Sequence, residues 1–245
     1  QAAAAAGISR PDRTLAVHHG LGPHPELPAH RLLARACAEQ RLAGLIIEDP
    51  SRVAPWLDPA ALGLPVVAPA GTPGATACTV LDQWQVVERA LTAAAAAGCR
   101  RLAYLGTASA HALDYVPGVR RRAAALGLDL PHRRIAAASV ACPGWAAQAM
   151  RGFWDADGGA PPQAVVVLDD NLADAACAAL REMSAEPLIL QLTNWPAPAP
   201  SWRRLVRLGW DQRVALALCL DHLSGGPGGE IRPPLRVEEP STGSG

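Results

Sequence analysis

The sequence predicts an α/β fold in which parallel strands alternate with covering helices. Three observations carry this. Short apolar runs alternate with helix-period segments along most of the chain. One stretch, Asp82 to Gly106, holds a complete helix–turn–strand unit. Four apolar runs then end in side chains built for hydrogen bonding: Glu48/Asp49, Thr107/Ser109, Asp169/Asp170 and Thr193/Asn194. In a parallel sheet such ends line one rim, the rim at which open α/β folds bind ligands.

The Asp82–Gly106 unit is the clearest element. Asp82 is a good N-cap, and Gln85 three residues on completes a capping box. Trp84, Val87, Leu91, Ala94 and Ala95 fall on one face at helical spacing. The alanines of 93–97 keep helix propensity high, and Gly98 supplies a left-handed stop. Leu102–Leu105 is then a buried strand ending at Gly106. With Val66–Val67 or Thr76–Val80 as the preceding strand, this makes a right-handed βαβ crossover.

Taken in order, the chain opens on Gln1–Gly7, which reads as the last turns of a helix. A parallel fold normally opens with a strand, so the first strand is expected to be missing and the chain to begin inside a longer protein. Thr14–Val17 is predicted as a short strand, followed by a Gly/Pro/His loop from His18 to Pro28. A helix follows to about Glu39, a strand over Leu42–Ile47, a helical turn over Pro55–Leu62 and a strand over Pro65–Ala68. Beyond Gly106, helices are predicted over Pro117–Leu126, Trp145–Trp154, Leu172–Met183 and Asp211–Leu223. Strands are predicted around Ile135 and over Ala164–Leu168, Leu188–Leu192, Leu205–Leu208 and Pro234–Val237, with Ser224–Glu230 as a flexible link.

Composition narrows the function. The chain has 245 residues, half of them hydrophobic, and 22 basic residues balance 22 acidic ones. That leaves no electrostatic footprint for nucleic acid in these residues. Six cysteines lie far apart with no CxxC, as buried small hydrophobes of a reducing cytosol do. No apolar run is long enough to span a bilayer, so a cytoplasmic protein without membrane contact is expected.

The polar strand ends carry carboxylates and hydroxyls but few basic groups. That chemistry suits a neutral polyol, because charged acceptors grip hydroxyl donors strongly, and suits a phosphate poorly. His18, His19, His24 and His30 lack the spacing of a zinc site, and Asp155–Gly158 lacks the closing glutamate of a calcium loop. No metal and no cofactor is expected. There is no G-x-S-x-G elbow, P-loop, G-x-G-x-x-G or H-E-x-x-H, and nothing supplies a nucleophile beside Asp169 and Asp170, so no enzyme is expected.

Five segments, Gly44–Ile47, Pro65–Val67, Asp82–Gly106, Tyr115–Leu128 and Ala164–Leu180, resemble in order and spacing the effector-binding core of the lactose-repressor (LacI/GalR) family of transcription regulators. The resemblance implies a two-lobed, periplasmic-binding-protein-like fold with an effector between the lobes. It implies an N-terminal lobe of residues 1–80, completed by about 197–225, and a C-terminal lobe of 81–196, completed by about 226–239, with 240–245 a flexible tail. It also implies a homodimer and operator DNA binding through an N-terminal helix-turn-helix that is not in these residues. Carried over by position, the ligand-binding residues are Glu48, His111, Tyr115, Trp145, Asp169 and Thr193. Three positions depart from the family pattern: Tyr115 stands where an effector-gripping arginine is usual, Thr193 in place of an aspartate pair, and Ala70 where an aspartate is common. The expected effector is therefore a sugar-like small molecule or polyol in a weakly charged pocket. Trp145 is its stacking platform or, alternatively, a core residue at a helix start. A solute-binding receptor for sugar transport, with the same fold, is the competing reading; scattered free cysteines argue against its oxidising compartment.

Overall fold

The computed structural model describes residues 15–17, 26–48, 58, 60–107, 110–155, 160–226 and 228–239, with 59 and 110–114 described in backbone only. They form two compact units: residues up to Leu81 with Asp211–Pro234, and Asp82–Trp210 with the residues from Leu235 on.

The first unit opens with helix α1, Pro28–Ala38, whose buried side is His30, Leu33 and Ala36. Strands β1 (Leu45–Ile46), β2 (Val66–Pro69) and β3 (Ala77–Thr79) run parallel, and a short 3-10 turn, Pro59–Leu62, precedes β2. Two expectations shift here. Residues 15–17 form no strand and are exposed, and residues 55–57, with Thr14, lie outside the described residues. The strand predicted over Leu42–Ile47 shrinks to two paired residues.

The second unit begins with α2, Gln83–Ala96, whose N-cap Asp82 accepts from the Gln85 backbone N–H at 3.3 Å. Its buried face is Val86, Val87, Ala90, Leu91 and Ala94, with Trp84 only half-buried at the side. Gly98 takes φ +74°, the left-handed stop its position predicts. Then come β4 (Leu102–Thr107), α3 (Ala110–Ala125), β5 (Ile135–Ala138), α4 (Gly144–Asp155), β6 (Ala164–Val167), α5 (Asp170–Glu182), β7 (Leu188–Trp195) and β8 (Leu205–Asp211). Helix α3 begins seven residues earlier than Pro117, which a sequence reading takes as a helix start. The ring removes one helix N–H there without ending the helix.

Helix α6 (Gln212–Leu223), capped by Asp211, returns the chain to the first unit, and β9 (Gly229–Ile231) adds to β3 in parallel. So part of the expected link 224–230 is strand. β10 (Arg236–Glu238) pairs antiparallel with β8. The sheet orders are β1-β2-β3-β9 and β10-β8-β7-β6-β4-β5. Residues 197–210 were expected with the first unit; instead β8 joins the six-stranded sheet of the second, and the return comes at Asp211.

Alternation along the strands decides which face each side chain serves. Leu102 and Tyr104, Ala164 and Val166, and Leu188, Leu190 and Leu192 enter the cluster covered by α2 and α3. Ala103 and Leu105, Val165 and Val167, and Ile189 enter the cluster covered by α4 and α5. Both faces are buried, which is why β6 reads as an unbroken apolar run. Each fully buried Leu or Val contributes about 1.5–3 kcal/mol.

Candidate functional site

The candidate residues of the second unit come off the carboxyl ends of parallel strands. β4 pairs with β5 and β6, and β6 with β7, all parallel. Tyr115 follows β4 on α3, Trp145 follows β5 at the start of α4, Asp169 follows β6, and Thr193 lies near the end of β7.

Asp169 and Thr193 stand near the ends of neighbouring strands. Val167 is opposite Gln191, and Asp169 and Thr193 each lie two residues further on. The next pair is bonded directly, because the Asn194 backbone N–H donates to Asp170 Oδ2 at 2.9 Å. Asp170, a predicted strand-end ligand group, thus ties the first turn of α5 to the end of β7. Asp169 caps α5: its Oδ1 accepts from the Asn171 backbone N–H at 2.8 Å and from Asn171 Nδ2 at 2.9 Å. A carboxylate at a helix N-terminus is held there by both the bonds and the helix dipole.

Thr193 is fully buried, and its hydroxyl has no hydrogen-bond partner among the described residues. A buried hydroxyl left unpaired costs about 1–3 kcal/mol. Gly209 of β8 makes room for its backbone; a Cβ there would come within 2.0 Å of the Thr193 carbonyl oxygen, at a φ of +157°.

Trp145 is 53 % exposed, on the first turn of α4, with its backbone N–H bonded to the Cys142 carbonyl at 3.0 Å. The alternative of a core residue at a helix start therefore fails: the ring is available on the surface. Tyr115 is differently engaged. Its ring stacks on Trp84 with centroids 6.4 Å apart and planes at 13°, and it packs beside the α2–α3 core. Glu48 follows β1 in the first unit and is exposed. Ala70 sits in the turn after β2, donating its N–H to the Thr79 carbonyl at 3.1 Å. The side chain of His111, and Asp49, Ser109 and three of the four loop histidines, lie outside the described residues.

Solved structures share this architecture. A LacI-family transcriptional regulator from Mycobacterium smegmatis superposes with a TM-score of 0.59 at 21% identity, over 86% of this chain and 83% of that one. A regulatory protein of the LacI family from Chloroflexus aggregans gives 0.66 at 18% identity, over 87% and 81%. The transcriptional regulator CelR in complex with cellobiose gives 0.62 at 17% identity, over 88% and 70%.

The chain has the fold of LacI-family transcriptional regulators.

That fold, periplasmic-binding-protein-like with parallel sheets flanked by helices, is the class the sequence predicts. No protein-family model and no curated protein matches the chain. One polar residue of this sheet is not singled out by the sequence. Gln191 is fully buried on the same side of β7 as Thr193, and neither of its amide atoms has a partner among the described residues. Its signal is a polar residue two positions before Thr193 in an otherwise apolar run, which places both on one face.

Two tryptophans run against expectation. Trp195 and Trp202 read as exposed apolar residues of a Pro-rich loop. Trp195 is buried, donating its indole N–H to Glu238 Oε2 at 3.2 Å, with the guanidinium carbons of Arg207 and Arg236 at 5.0 and 4.6 Å from its ring centre. Trp202 is half-buried and donates to the Pro187 carbonyl at 3.0 Å. The reason is that Trp195 ends β7, where Arg207 of β8 and Arg236 and Glu238 of β10 surround its ring.

Proposed function

We propose that this chain is the effector-binding and dimerisation core of a DNA-binding transcriptional regulator of the LacI/GalR type, and that its effector is a neutral sugar or polyol. The observation that carries the reading is the juxtaposition of Asp169, a carboxylate fixed at a helix N-terminus, with Thr193, whose buried hydroxyl lacks a partner. Asp169 accepts from one or two effector hydroxyls, Thr193 exchanges a neutral bond, and Trp145 offers a flat apolar surface to the C–H face of a sugar. Glu48 is the first unit's candidate acceptor. CelR, bound to cellobiose, supports a saccharide as the ligand class.

Effector binding shifts the balance between two conformational states of a dimer, and operator DNA is reached through a helix-turn-helix outside the present residues. The shift cannot exceed the effector's differential affinity for the two states; a near-complete switch takes a ratio of roughly 10⁴. Exposed Leu32 on α1, with Val214 and Leu218 one turn apart on α6, supports a protein–protein surface in the first unit. All six cysteines are free. Burial pushes the Cys177 thiol up to about 11, which keeps it neutral and inert. Unbonded cysteines favour a reducing compartment, and with it the regulator over a secreted transport receptor.

A thermal-shift screen of neutral mono- and disaccharides, polyols and sugar phosphates tests this. A saturating effector at a hundred times its Kd stabilises by about 2.7 kcal/mol, several degrees in Tm for a chain of this size. Stabilisation by a neutral sugar is the expected result. A shift by sugar phosphates alone would overturn the effector class, and a monomer mass by light scattering at tens of micromolar would overturn the dimer.

A further inference from the structure

The second unit holds a pocket whose lining includes neither Asp169 nor Thr193. Its volume is about 340 Å³, within the range of small-molecule sites, and it lies between β4, β5 and α3. Register explains the space. Tyr104 stands opposite Ile135, and the next pair on the same face toward the carboxyl ends is Gly106 opposite Ala137. Two large side chains are thus followed by nearly none, while Val116 and Pro117 of α3 close the pocket from the other side. The face is the one buried by α2 and α3, whereas Thr193 and Gln191 follow the parity of the opposite face.

The chemistry of the wall is specific. Among the described residues the wall is apolar apart from Tyr104, Thr107 and His132. Tyr104 is 1 % exposed, and its hydroxyl is buried without a hydrogen-bond partner among the described residues. Burial, with the neighbouring Tyr115 adding to it, raises its pKa, so the phenol stays protonated and presents a donor. A buried donor lacking an acceptor, beside an open apolar pocket, is a group that a ligand can satisfy at a gain.

We propose that this pocket binds a second class of small molecule: an uncharged, largely apolar compound carrying one hydrogen-bond acceptor, which Tyr104 engages. The largely apolar wall selects an uncharged compound, the floor of Gly106 and Ala137 accepts an aromatic ring or short alkyl chain, and the phenol fixes its orientation. The site does not depend on the sugar reading, because neither Asp169 nor Thr193 is among its lining residues.

The test is a ¹⁹F NMR titration of the whole chain with 4-fluoroacetophenone, and with 4-fluoroethylbenzene as the match that lacks an acceptor. The ketone is expected to bind with a Kd at or below about 1 mM and more tightly than the hydrocarbon. Tyr104→Phe removes a hydroxyl that bonds nothing among the described residues, so it should fold normally. It should weaken the ketone about fivefold while leaving the hydrocarbon unchanged, the size of one neutral hydrogen bond. Ala137→Leu, which fills the floor, should abolish both, and Asp169→Asn should change neither. Failure of both probes to bind, equal weakening of both by Tyr104→Phe, or unchanged binding in Ala137→Leu would each overturn the proposal.

Discussion

The two units are built from the same kind of element but not to the same depth. The second has six strands with large buried clusters on both faces of the sheet. Among the described residues the first has four strands of two to four residues and two small clusters, Ile47 with Val66 and Ala68, and Val67 with Ala77 and Cys219. The difference bears on recognition. A polar group placed to within a fraction of an ångström needs a frame whose own side chains are locked by packing. Asp169 and Thr193 end strands that are buried on both sides, whereas Glu48 follows a two-residue strand and is exposed. The account therefore assigns geometric precision to the second unit and treats Glu48 as the more adaptable group.

The sharpest break of this contrast is in the cores. Leu105→Ala, at a fully buried position of β4, should cost about 2–5 kcal/mol in urea unfolding. Val66→Ala in β2 removes two methyl-sized groups at about 0.8 kcal/mol each and should cost roughly 1–2 kcal/mol. Equal losses would mean that the units are equally deep. Next comes Gly209→Ala, whose Cβ would meet the Thr193 carbonyl oxygen at 2.0 Å, a backbone atom that cannot swing aside. A loss of about 3 kcal/mol is expected, together with weakened effector binding, because the strand that moves is the one carrying Thr193.

Two smaller effects separate recognition from stability within the second unit. Trp145→Ala, at a ring 53 % exposed, should leave the unfolding midpoint nearly unchanged and weaken effector binding at least about tenfold, or 1.4 kcal/mol. A strongly lowered midpoint with unaltered affinity would remove Trp145 from the site. Thr193→Val deletes a hydroxyl with no partner among the described residues, so stability should be unchanged or up to about 1 kcal/mol higher, while the effector loses one neutral hydrogen bond, about three- to tenfold in Kd. A clearly destabilised Thr193→Val would show that the hydroxyl is already satisfied within the protein.

Alternation of apolar runs and helical patterns made the layer architecture legible, and capping chemistry placed Asp82 at a helix start; the caps at Asp169 and Asp211 emerge only from the structure. Less local features were not. The edge pairing of β9 with β3 depends on a partner about 150 residues away, and Gly229 and Glu230 sit in a glycine-rich run that reads as a link. The burial of Trp195 depends on Arg207 and Glu238 from two other strands. In the site, strand-end polarity pointed to Asp169 and Thr193, but not to their different tasks. Asp170, which looks equivalent to its neighbour, is occupied by the Asn194 N–H, a bond set by the α5–β7 arrangement. Tyr115 could be placed by position, yet its stacking on Trp84 follows from how α2 and α3 pack.

The central claim, that the Asp169 carboxylate grips a neutral effector, is tested most directly by isothermal titration of the chain and of Asp169→Asn with the sugar that stabilises it best. Asparagine caps a helix about as well as aspartate, so α5 and the fold should survive the change while the charged acceptor is lost. The account predicts an unfolding midpoint within about 0.5 kcal/mol of the parent chain and an affinity at least about tenfold weaker, the difference between a charged and a neutral acceptor. An intact fold with unchanged affinity would contradict it.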